Sequence, residues 1–114
     1  MDKPSAEAAA SFLERYAMRL HSMTGLKWTG EFDPAAGVEA RLVLIAAGLR
    51  RGDTGLGEED ATFLRGQAET LRSPNRLVLD DPMVTAEWRQ ASETAFETAE
   101  RLEAIAELIA ERSR

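Results

Sequence analysis

The stretch DPMVTAEWRQASETAFETAERLEAIAELIAERSR, residues 81–114, decides the fold. Asp81 offers a side-chain acceptor for a helix N-cap, and Pro82 follows at the first helical position, where its missing N–H and fixed φ do no harm. Beyond Pro82 the stretch contains neither glycine nor proline, so nothing interrupts one long helix. Its apolar residues keep a seven-residue repeat: Val84, Trp88, Ala91, Ala95, Leu102, Ile105 and Ile109 take successive inward slots, with Thr98 the polar member of the series. At 1.5 Å per residue this helix spans about 45 Å.

Toward the N-terminus, three shorter helices are expected. Ala9, Leu13, Tyr16, Leu20 and Met23 alternate at intervals of four and three, a helical stripe that begins after Pro4 and stops near Thr24-Gly25. Residues 24–33 (TGLKWTGEFD) carry no such stripe, and Leu26, Trp28 and Phe32 fit a short extended segment laid on the core. Asp33-Pro34 is a second helix start. Val38, Leu42, Ile45 and Leu49 form its stripe, which Val43, Leu44, Ala46 and Ala47 widen until it reads as a central, all-round apolar helix ending at Arg50-Arg51-Gly52. After the turn DTGLG, Glu58, Glu59 and Asp60 load the positive end of a third helix whose stripe is Ala61, Leu64, Ala68 and Leu71. Ser73-Pro74-Asn75 is expected to break that helix, leaving Leu77, Val78 and Leu79 as an extended connector. The class that follows is all-α, an irregular four-helix bundle with a long C-terminal helix, in a single domain over 1–114.

Composition narrows the chemistry. Hydrophobic residues make up 44% and charged residues 30% of the chain, a balance that argues against wholesale disorder. There is no cysteine, which excludes disulfides, thiolate zinc sites, iron–sulfur clusters and cysteine nucleophiles. Net charge is −6, and residues 77–114 hold nine acidic against four basic groups. Such a field repels phosphate backbones, so nucleic acid is not an expected partner. The longest charge-free apolar run, Leu42–Leu49, is far shorter than the ~20 residues of a membrane span. Glu7, Glu14 and Arg15 interrupt what a secretory peptide would need to be apolar, and a cytoplasmic protein is expected.

Several constellations bear on the chemistry. Glu93, Glu97, Glu100, Glu103, Glu107 and Glu111 lack the Glu-x-x-His partner of a di-iron bundle, and read as a solvated acidic face. His21 is the single histidine and reads as a boundary residue; neither metal, cofactor nor catalytic group is assigned. DTGLG lacks the Gly-Lys-Ser/Thr end of a phosphate loop. Trp28-Thr29-Gly30 resembles the Trp-x-Gly turn of WXG-type helical hairpins. Those proteins turn directly into a second long helix, whereas here a Pro-started helix intervenes, so the family is not assigned.

The long helix outreaches any one earlier helix, which span about 28, 24 and 22 Å. Either helices 2 and 3 lie end to end along it, or its C-terminal half extends past the bundle to pair with another copy or another protein, since an uncovered Leu102, Ile105 and Ile109 would each forgo about 1.5–3 kcal/mol of burial. The expectation is a non-enzymatic interaction or regulatory protein of adaptor, inhibitor, immunity or accessory-subunit type. It would act through this acidic helix with Trp88, Phe96, Leu102, Ile105 and Ile109 as anchors, toward a protein with a basic surface and in a homodimer. Two alternatives stand beside it. One is a helical DNA-binding regulator using residues 58–76, with Arg65, Arg72 and Arg76 on one side; the other is a small ligand-binding or enzymatic bundle around Trp28 and His21.

Overall fold

Helix start and stop chemistry accounts for the architecture of the computed structural model, which describes residues 4–24, 34–52 and 55–112. The chain is all-α, with α1 (Ala6–Thr24), α2 (Pro34–Arg51), α3 (Glu58–Asp80) and α4 (Ala86–Arg112), and no strand occurs among the described residues. None of these helices is long and apolar enough to cross a membrane. The described residues fall into two compact units, Pro4–Leu56 and Gly57–Arg112.

In the first unit, Ser5 caps α1 through its hydroxyl, which accepts from the Ala8 N–H at 3.1 Å. Ala9, Ala10, Leu13, Tyr16 and Ala17 are buried along α1, and Leu42, Ile45, Ala46 and Leu49 along α2. Burial pushes the phenol of Tyr16 above its ordinary pKa, against a smaller opposing pull from Arg19. The two helices run antiparallel. Near the end of α2, Arg50 donates to Glu7 at 3.2 Å and to Ser11 at 3.1 Å and pairs with Glu14, three successive turns of α1. Those two carboxylates raise the Arg50 pKa further above its already high value. Gly52 stops α2 as its sequence position predicts: it takes the left-handed φ of +67° and donates to the Leu49 carbonyl. The all-round apolar α2 is corrected, because Val43 and Leu44 are exposed. Its buried arc comprises only the residues spaced three and four apart.

The second unit is an α3–α4 hairpin, and here two expectations are overturned. Pro74 does not end α3, which continues to Asp80, so Leu77, Val78 and Leu79 are helical. The residue after Pro74 holds the helix together. Asn75 donates its side-chain amide to the Leu71 carbonyl at 2.6 Å and accepts from the Ser92 hydroxyl at 2.8 Å, tying the proline turn to α4. Nor does Asp81-Pro82 open α4. Asp81 closes α3 by donating to the Val78 carbonyl, while its carboxylate accepts from the Met83 N–H at 2.9 Å. Asp81 and Pro82 take the first two places of a turn whose last residue, Val84, donates back to the Asp81 carbonyl. The N-cap of α4 is Thr85, whose hydroxyl accepts from the Trp88 N–H at 3.3 Å.

These corrections remove the length mismatch. With its 23 residues α3 is about 34 Å long against about 40 Å for the 27 residues of α4, so one helix accompanies the other nearly end to end. Their antiparallel register is marked by Arg65 against Glu107 at 3.5 Å, Arg72 against Glu103, Asn75 against Ser92, and Arg89 donating to the Leu79 carbonyl at 3.3 Å.

Candidate functional site

The hairpin is covered unevenly along its length. At its open end, Ala61, Leu64 and Ala68 of α3 are buried, as are Thr98, Ala99, Leu102, Ile105, Ala106, Ile109 and Ala110 of α4. Toward the turn, no apolar side chain between residues 71 and 97 is completely buried, and Ser92 is the only buried residue there.

Of the expected anchors, Leu102, Ile105 and Ile109 are therefore sheltered within the chain itself, and the reason for an external cover at the C-terminal end is withdrawn. Phe96 is half-buried. Trp88 alone stays open, 64% exposed, and it has company: Leu77 is 76% and Met83 86% exposed. With Val78 and Val84 these side chains line an open groove of about 470 Å³ at the turn, edged by Asp81 and Thr85. The uncovered apolar edge exists, but at the opposite end of α4 from the one anticipated.

The cause is angular. At about 100° per residue, Trp88 lies within about 40° of Leu102 around the helix, and Ala91 within about 20° on the other side, so both continue the inward stripe. Near the turn, however, the covered residues are Arg89 and Ser92, which reach Leu79 and Asn75 of α3. Only the α3-facing side of α4 remains covered there; the part of the stripe bearing Trp88 and Ala91 is bare.

Electrostatics distinguish the two ends as well. The three arginines on the side that would contact DNA are occupied by carboxylates: Arg65 by Glu58 at 3.0 Å and Glu107, Arg72 by Glu103, and Arg76 by Glu69 at 3.0 Å. Glu103 and Glu107 thus face α3 rather than forming part of a purely solvated face. At the turn, residues 77–88 (LVLDDPMVTAEW) contain Asp80, Asp81 and Glu87 and no lysine or arginine. No group of three metal-ligating side chains occurs among the described residues. Trp28 and the first two residues of DTGLG lie outside the described residues, as does the side chain of His21.

No protein-family model, curated protein or solved structure matches the chain.

Proposed function

We propose that the chain is a non-enzymatic protein-interaction module of adaptor or regulatory type that docks through the turn end of the α3–α4 hairpin. The observation that carries this reading is the cluster of Leu77, Met83 and Trp88, large apolar side chains open to solvent around one groove. Exposed aromatic and methionine side chains grouped at one place are the composition of an interface centre. Trp88 is an anchor in this reading, as the sequence suggested, while Leu102, Ile105 and Ile109 act only as the support that keeps α4 rigid.

The test uses a photo-reactive residue at Met83 and, in a second protein, at the exposed Thr62 in the other half of α3. Irradiation in the native host is expected to give a discrete protein adduct from position 83 that Trp88→Ser abolishes, and none from position 62. Equal adducts from both positions, or an adduct indifferent to Trp88→Ser, would sink the reading.

A further inference from the structure

We infer that the occupant of this turn end is a cationic amphipathic helix: a partner segment with an apolar stripe flanked by lysine or arginine. The inference rests on the docking reading above and adds the chemistry of what docks. Two observations lead to it. Trp88 and Ala91 lie along one strip of α4 and Val84 lines the groove beside Trp88 from the preceding turn, an apolar strip of the kind that accepts a helix stripe with anchors three and four residues apart. The surrounding charge is mainly negative, because Asp80, Asp81 and Glu87 are exposed there against the one guanidinium of Arg89, and Arg76 is paired away from the turn. Arg76 engages Glu69, and Arg89 donates to the carbonyls of Leu79 and Asp81.

A second copy of the same chain is the poorer occupant. Twofold pairing of this end would set its own three carboxylates, Asp80, Asp81 and Glu87, against their equivalents.

The test titrates the full-length Trp28→Phe protein, in which Trp88 is the remaining tryptophan, with two defined helical peptides of the same leucine pattern, one with lysine and one with glutamate at every polar position. Calorimetry on the unsubstituted chain repeats the comparison independently of position 28. The lysine peptide is expected to shift Trp88 emission and to bind at least about tenfold tighter than the glutamate peptide, with the preference weakening at high salt. Asp80→Lys with Glu87→Lys should erase that preference. Glu97→Lys with Glu100→Lys, an equal charge change elsewhere on α4, should change it by less than about twofold. Asp81 is left intact because its carboxylate holds the turn. Equal affinity for both peptides, no binding of either, or equal losses in the two double variants overturns the cationic partner. So does a dimer in sedimentation equilibrium that Trp88→Ser dissolves, since the occupant is then a second copy. In each of these outcomes an adduct from position 83 would still uphold the docking reading, whereas its absence would remove both.

Discussion

The two ends of the α3–α4 hairpin are built from the same pair of helices, yet they differ in how much of α4 is covered. Around Leu102 and Ile109 the buried arc extends from Ile105 to Ala110, more than a third of the helix circumference. Around Ser92 the cover shrinks to the side facing Asn75 and Leu79. Where α4 is covered broadly its apolar stripe contributes to stability; where it is covered narrowly the same stripe is left open to solvent. An unbroken apolar pattern therefore states that a face is to be covered, and does not state by what.

Four substitutions put that contrast at risk. The largest effect is expected from Leu102→Ala in the broadly covered end, a loss of about 2–5 kcal/mol in urea unfolding, because the site cannot collapse fully around the missing atoms. A loss under about 1 kcal/mol would mean that this end is as loosely covered as the turn. Next comes Pro74→Ala, which restores a helical N–H inside α3. It is expected to stabilise by about 1–3 kcal/mol and to slow amide exchange across residues 74–80. Destabilisation instead would show that the proline geometry positions Asn75 against Ser92.

Ser92→Ala removes the donor to the Asn75 side-chain carbonyl, the polar link between the helices in the thinly covered half. The expected cost is about 1–2 kcal/mol, with faster exchange confined to residues 75–97. A uniform rise in exchange through residue 110 would instead show that the two halves open together. The smallest effect belongs to Leu77→Ser, within about 0.5 kcal/mol of the parent, since this side chain is open to solvent. A larger loss would show that Leu77 stabilises the fold and is not reserved for a partner.

Much of this arrangement is legible in the residues, and its misreadings have physical causes. Gly52 after Arg50-Arg51 announces the end of α2 correctly, because a left-handed residue after a basic turn has few other uses. Pro74 misleads because proline is judged locally. The spacing Ala61, Leu64, Ala68, Leu71, Asn75, Val78 runs on in threes and fours through it, and that continuity outweighs the breaker once Asn75 closes the turn. Asp-Pro is ambiguous in itself: Pro34 begins α2, whereas Asp81-Pro82 forms a turn and leaves Thr85 as the cap. Trp88 is visible as a candidate anchor from sequence. Leu77 and Met83 are not, because they belong to the apolar stretch only through a turn whose shape the pattern does not encode.

Local chemistry alone determined that this chain is helical, how its helices repeat, and where α2 stops and α3 starts, since capping groups, dipole charges and apolar spacing act over a few residues. Packing decided the rest. Whether α3 survives its proline, which carboxylates meet which arginines, and which end of the α4 stripe stays bare all depend on the register between two helices. That register is set by contacts distant in sequence, such as Asn75 with Ser92 and Arg72 with Glu103.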